Sequence, residues 1–211
     1  MQKNYYIAVE GAIGVGKTTL VRLSQRAFDA EILLEVFEEN PFLARFYQDR
    51  KRYGFQTQIF FLLSRYQQQH EAIPAALARG NLLSDYTFDK NQIFARLNIE
   101  GDELTMYERV HTIISDKIPK PDLVVYLRAD IDVLMERIAL RDRSYERAME
   151  RDYIAALNRA YDEFFAHYAQ APVLTIETDH LNIVRCADDL NCVIDRIRAK
   201  LEMGTYQKPL L

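Results

Sequence analysis

The eight residues Gly11-Ala12-Ile13-Gly14-Val15-Gly16-Lys17-Thr18 constrain this chain more than any other feature of its sequence. Three of the chain's seven glycines stand at 11, 14 and 16. Glycine reaches backbone conformations that other residues avoid, so consecutive N–H groups can turn inward around an anion. The segment before the loop, Tyr5–Val9, is short and apolar and predicts a buried strand, and Lys17 to about Phe28 predicts a helix. A glycine loop in that context adds the positive end of a helix dipole to the same anion site. The backbone from Gly11 to Thr18, with Thr19 beside it, is therefore expected to cradle a nucleoside triphosphate. Lys17 is expected to reach its β- and γ-phosphates and the Thr18 hydroxyl to ligate Mg²⁺. Such a loop predicts phosphoryl transfer but leaves the acceptor open.

The rest of the chain alternates predicted strands and helices. Further strands are expected at Glu31–Leu34, Leu82–Ser84, Leu123–Leu127 and Val173–Glu177. Helices are expected at Phe42–Asp49, Phe55–Arg79 with a kink near Pro74, 102–118, Ile131–Leu140, Asp152–Ala169 and from about 187 to 203. Five strands separated by helices predict an α/β fold, a parallel sheet covered on both faces. The 211 residues suit one domain, 1–211. A net charge of -4 argues against a nucleic-acid partner, and no apolar run approaches the roughly 20 residues that cross a bilayer. The N-terminus lacks the layout of a signal peptide, which predicts a cytoplasmic protein. Cys186 and Cys192, six apart in a predicted helix, are expected to be free, buried thiols. His111 and His167 lack metal-like partners and read as structural.

Beyond the loop, several segments stand in a telling order. They are Glu35-Val36-Phe37-Glu38-Glu39-Asn40-Pro41, Phe46-Tyr47-Gln48-Asp49, Gln58-Ile59-Phe60-Phe61-Leu62, Ser84-Asp85-Tyr86, Pro119-Lys120-Pro121-Asp122, and Arg137-x3-Arg141-x-Arg143. With the glycine loop they give the chain, from residue 5 to about 180, a resemblance to the deoxynucleoside kinase family. Within it, the chain resembles the bacterial deoxyguanosine/deoxyadenosine kinases. The resemblance implies a P-loop kinase fold with an arginine-rich lid at about 141–150. It also implies ATP and Mg²⁺, and transfer to the 5′-hydroxyl of a deoxynucleoside.

What the resemblance implies for single residues also makes chemical sense. Glu35, just past the second strand where open α/β sheets bind ligands, is the implied general base for the 5′-hydroxyl; Glu38 and Glu39 are its rivals by position. Asp85, ending the third strand, is the implied Mg²⁺ carboxylate beside Thr18. Tyr47 and Glu146 are implied to hold the sugar 3′-hydroxyl and Gln58 to pair with the base, a set that rejects analogues leaving its polar groups unsatisfied. Arg65, seven residues after Gln58 on the same helix face, is implied to read the base edge with Asn91; both can donate, which favours guanine O6 and N7. Phe88 and Phe60 or Phe61 are candidates to sandwich the base. Arg137, Arg141 and Arg143 are the implied lid cations, which suit phosphate through their planar, bidentate geometry. The loop Thr178-Asp179-His180-Leu181-Asn182 is implied to pass the donor adenine. Relatives pair through helices from the middle of the chain, so a homodimer is expected.

One position departs from the family. Members commonly carry Glu-Arg-Ser where this chain has Asp85-Tyr86-Thr87, so the arginine near the acceptor hydroxyl is missing. Lys90, about a helical turn later, is the candidate substitute. A nucleoside monophosphate kinase of thymidylate kinase type, the alternative reading, needs a cation at 86 for the acceptor phosphate and gains nothing from Glu35. A P-loop GTPase needs Asp-x-x-Gly and Asn-Lys-x-Asp motifs, which the sequence lacks.

Overall fold

The computed structural model describes residues 3–37, 39–143, 146 and 149–203. It contains a five-stranded, all-parallel sheet in the order β2-β3-β1-β4-β5. The strands are β1 (Tyr6–Glu10), β2 (Ala30–Leu33), β3 (Asn81–Ser84), β4 (Leu123–Arg128) and β5 (Val173–Glu177). Around them lie α1 (Lys17–Phe28), α2 (Leu43–Gln48), α3 (Arg50–Leu77), α4 (Lys90–Asn98), α5 (Gly101–Ser115), α6 (Ile131–Arg141), α7 (Arg151–Ala166) and α8 (Ala187–Lys200).

The central strand shows how the sheet is covered. Side chains alternate along a strand, so Ile7 and Val9 pack into one apolar layer with Leu20, Leu134 and Ile154, while Tyr6 and Ala8 enter the other with Leu62, Ile73 and Tyr107. Every residue of β1 is buried, as a strand covered on both faces must be. The C-terminal ends of all five strands open on one side, where α/β sheets bind ligands.

The expected strands fall within one residue of those observed. The helices differ more: α5, α7 and α8 each end about three residues before the expected bound, and α3 and α4 depart further. α3 begins at Arg50, capped by Asp49 accepting from the Arg52 N–H at 3.1 Å, and runs through Pro74 to Leu77. Proline there forfeits only one hydrogen bond in a helix of 28 residues buried along one face. α4 was not foreseen: its nine residues present only Ile93, Phe94 and Leu97 as an apolar stripe, too short a run to stand out from the loop before it. The cysteines are free but not buried: Cys186, preceding α8, is half-buried and Cys192 is exposed. Among the described residues no helix is long and apolar enough to cross a membrane.

Candidate active site

The glycine loop follows β1 and turns directly into α1. Gly11, at φ 144°, lies so close to β4 that a Cβ there would stand 2.4 Å from the Leu127 carbonyl oxygen. Gly14, at φ 88°, is pressed by α6: a Cβ would stand 2.8 Å from Ile138 Cγ1 and 2.9 Å from the Leu134 carbonyl oxygen. Both glycines are thus required by conformation and by space. Lys17 Nζ folds back on the loop, donating to the Gly11 and Ala12 carbonyls at 2.7 and 3.0 Å. Burial, with the charge of Lys90 second, pushes the Lys17 ammonium down to about 8. Thr18 Oγ1 donates to Asp85 Oδ2 at 2.5 Å, and Asp85 Oδ1 accepts the Glu35 backbone N–H at 2.8 Å. One aspartate therefore joins α1, the end of β3 and the end of β2.

These groups line one cleft of about 920 Å³ that also reaches Tyr47, Phe61, Arg65, Lys90 and the arginines at 137, 141 and 143. The wall expected to face the acceptor is an ion-pair cluster. Glu35 Oε1 accepts from Arg65 Nε and Nη2 at 2.8 and 2.6 Å, and Oε2 accepts from Lys90 Nζ at 2.6 Å. Arg65 and Lys90 are themselves almost wholly covered. Burial alone would raise the Glu35 carboxyl, but the charges of Lys90 and Arg65 outweigh it and hold the group well below the ordinary carboxylate range. Of the rivals, Glu39 is exposed and Glu38 lies outside the described residues.

The base-reading candidates occupy unequal positions. Arg65 faces the cleft with its guanidinium 4.5 Å above the Phe61 ring. Asn91 does not share that wall: Oδ1 accepts from Arg65 Nη1 at 2.5 Å and Nδ2 donates to the Phe88 carbonyl at 2.9 Å. Asn91 thus stands behind Arg65, with its Oδ1 and one N–H of its amide engaged within the fold. Gln58 is 1 % exposed and its Oε1 has no partner among the described residues. Of the aromatic candidates Phe61 lines the cleft, whereas Phe88 is buried and stacked on His111 at 5.1 Å. Burial lowers the His111 pKa and Gln92 Nε2 meets its Nδ1 at 3.2 Å, consistent with a structural histidine. Tyr86 is fully buried with its hydroxyl bonded to Gln68, so no cation stands at that point.

The arginines expected to form a lid are partly engaged within the fold. Arg137 ties the glycine loop to the segment after β5, donating to the Val15 carbonyl at 3.2 Å, to Thr178 Oγ1 at 2.9 Å and to the Thr178 carbonyl at 2.7 Å. Arg141 makes a forked pair with Glu146 at 2.6 to 3.0 Å. Arg143 lies 3.7 Å from the same carboxylate and 4.3 Å over the Phe37 ring. Residues 144, 145, 147 and 148 of the expected lid lie outside the described residues.

Sequence reasoning passed over Glu10. It is 0 % exposed, and burial raises its carboxyl pKa against the lowering pull of Lys90, Lys17 and Thr87. The signal was available: an acidic residue closing an apolar strand just before a glycine loop.

Known proteins resemble this chain over most of its length. A family model described as deoxynucleoside kinase matches residues 7–202. A deoxyguanosine kinase of Bacillus subtilis (strain 168) is 31% identical, over 92% of this chain and 96% of its own. A deoxyadenosine kinase of Dictyostelium discoideum is 34% identical, over 81% and 71%. A solved deoxyadenosine kinase from M. mycoides with bound dATP superposes with a TM-score of 0.80 at 25% identity, over 92% of this chain and 100% of that one.

Proposed function

This chain belongs to the deoxynucleoside kinase family, and from that premise we propose that it moves the γ-phosphoryl group of ATP to the 5′-hydroxyl of a purine deoxynucleoside, deoxyguanosine before deoxyadenosine. The observation that carries the reading is the Glu35 carboxylate, held by Arg65 and Lys90 in the same cleft as the phosphate loop.

A carboxylate oxygen can accept two hydrogen bonds. Oε1 of Glu35 already takes two from Arg65, while Oε2 takes one from Lys90. A 5′-hydroxyl therefore has a place on Oε2, beside the lysine. Glu35 so far below the ordinary range is a weak base in the resting site. Its work is to aim the hydroxyl and take its proton late, as the new P–O bond forms and ADP departs; a loose phosphoryl transition state asks for positioning more than early deprotonation. Lys90, next to the reacting oxygen, supplies the positive charge that the family's arginine at position 86 would bring. Lys17 must leave its two carbonyls for the phosphates, and Arg137, Arg141 and Arg143 would add charge late and exclude water. The Thr18 hydroxyl and the Asp85 carboxylate, 2.5 Å apart, are an oxygen pair that suits Mg²⁺. The ion would neutralise charge between the phosphates when bound.

Guanine preference is supported by Arg65. Three of its five N–H donors are used by Glu35 and Asn91, leaving one on each terminal nitrogen. Guanine offers two acceptors, O6 and N7, on one edge, and its N1–H could satisfy the orphaned Gln58 Oε1. Tyr47 and Glu146 would take the 3′-hydroxyl. The enzyme is proposed to be cytoplasmic and to pair through α3 and α5, whose Leu63, Met106 and Ile113 are exposed. Sedimentation at equilibrium should return twice the 24.7 kDa chain mass.

The test is a panel of deoxynucleosides and their monophosphates with ATP and Mg²⁺, products resolved by chromatography. A 5′-monophosphate formed fastest from deoxyguanosine is expected. Phosphorylation of monophosphates alone would replace this reading with the monophosphate kinase one.

A further inference from the structure

Glu10 has no part in the chemistry above, yet its carboxylate joins three segments of the molecule. Oε1 accepts the Thr87 backbone N–H at 2.6 Å and the Thr87 hydroxyl at 3.0 Å. Oε2 accepts the Gly11 backbone N–H at 3.2 Å and the Tyr161 hydroxyl at 3.2 Å. Gly11 opens the phosphate loop. Thr87 stands two residues after Asp85, the partner of Thr18, and three before Lys90, the partner of Glu35. Tyr161 belongs to α7, behind the sheet, in an aromatic stack with Tyr126 and Phe165.

The chemistry of these donors decides what Glu10 must be. A hydroxyl can turn and accept instead of donating, but a backbone N–H cannot. Gly11 and Thr87 therefore require an acceptor at each end of the side chain, and only a carboxylate offers one at both. A buried carboxylate is costly unless several donors meet it, and here each oxygen has two. β1 and β3 pair in register only to Ala8 and Ser84, so beyond those residues the two chain ends are joined by side chains rather than by the sheet: Asp85 reaches Thr18 at the start of α1, and Glu10 alone of the two meets the backbone N–H groups of Gly11 and Thr87.

We infer that Glu10 is a positioning residue, a strut between the phosphate loop at Gly11 and the acceptor segment at Thr87, which sets the distance across which the phosphoryl group moves. The inference rests on the phosphoryl-transfer reading but not on the identity of the acceptor. It assigns the residue a duty distinct from packing: substrates bind to each half separately, whereas transfer needs the halves aligned.

Glu10→Gln is the direct test, because the isosteric amide must turn its NH₂ toward one of the two backbone N–H groups and so break one end of the strut. A misplacement on the order of 1 Å can cost about a hundredfold in rate, so kcat should fall ~10- to 100-fold while the dissociation constants of ATP and of the nucleoside, measured by calorimetry, stay within about threefold. Thr87→Val, which removes the hydroxyl contact and keeps the shape, should lower kcat by a smaller factor, ~3- to 10-fold, and covers the case in which Glu10→Gln does not fold. Tyr161→Phe removes the contact to α7 alone; it should lower the melting temperature and leave kcat within about twofold. Unchanged kcat in Glu10→Gln and Thr87→Val overturns the strut. So does a kcat loss in Tyr161→Phe as large as that in Glu10→Gln, which would mark a general packing role. The same series is read on the slow transfer from ATP to water. A wild-type protein that accepts no nucleoside therefore ends the proposed function while the strut is still judged.

Discussion

The two walls of the cleft are built on different principles. The donor wall is mostly backbone: consecutive N–H groups of a loop whose shape comes from glycines at positive φ, with a lysine and a threonine following immediately. The acceptor wall is mostly side chains drawn from distant points. Glu35 follows β2, Arg65 lies in the middle of α3, and Lys90 begins α4; their ion pairs span 30 and 55 residues. A backbone cradle reads charge and holds any triphosphate in much the same way. A side-chain wall can be re-tuned one residue at a time; here Tyr86 is buried and Lys90 holds Glu35.

If the walls are separable, changes to each should move different constants. The largest effect is expected from Glu35→Gln, which should lower kcat by ~10²- to 10⁴-fold, the usual range for a proton acceptor, with ATP affinity by calorimetry nearly unchanged. Parallel loss of ATP binding would break the comparison. Gly14→Ala is the converse. A left-handed conformation and a Cβ pushed against Ile138 and the Leu134 carbonyl should weaken ATP binding by about ten- to a hundredfold, for ~1–3 kcal/mol of strain, and leave nucleoside affinity intact.

Lys90→Met sharpens the acceptor side. A turnover loss of about tenfold is expected, with a shift in the pH profile. Glu35 is depressed in the folded protein, so its contribution to stability is present above its unfolded pKa and is lost as pH falls toward the folded one. Without the Lys90 charge, burial wins back ground and the carboxyl rises. The acid limb of kcat/KM should then move to higher pH, and resistance to acid unfolding should shrink. A limb that stays in place would mean that Arg65 alone controls Glu35. The smallest effect belongs to Asn91→Asp, a few-fold change in the deoxyguanosine-to-deoxyadenosine ratio of kcat/KM, because residue 91 reaches a base only through Arg65.

Glycines at 11, 14 and 16, between an apolar strand and a helix, determined the loop proposed for the donor from sequence alone, since the interactions that shape it are local. The alternation of buried strands with helices determined the sheet for the same reason: period and punctuation are local properties. Glu35, Arg65 and Asp85 were visible as candidates through their family-like spacing. Their mutual contacts were not, because ion pairs between separate elements depend on how those elements pack. Asn91 shows the limit: its residue type allowed it to meet a base, and the turn it occupies gave both ends of its amide other partners. Tertiary structure alone decided that Lys90 holds Glu35 and that Glu10 ties the donor loop to the acceptor segment 77 residues away. A buried charge is stable only where the fold brings it partners, and those partners lie too far along the chain for local pattern to reveal.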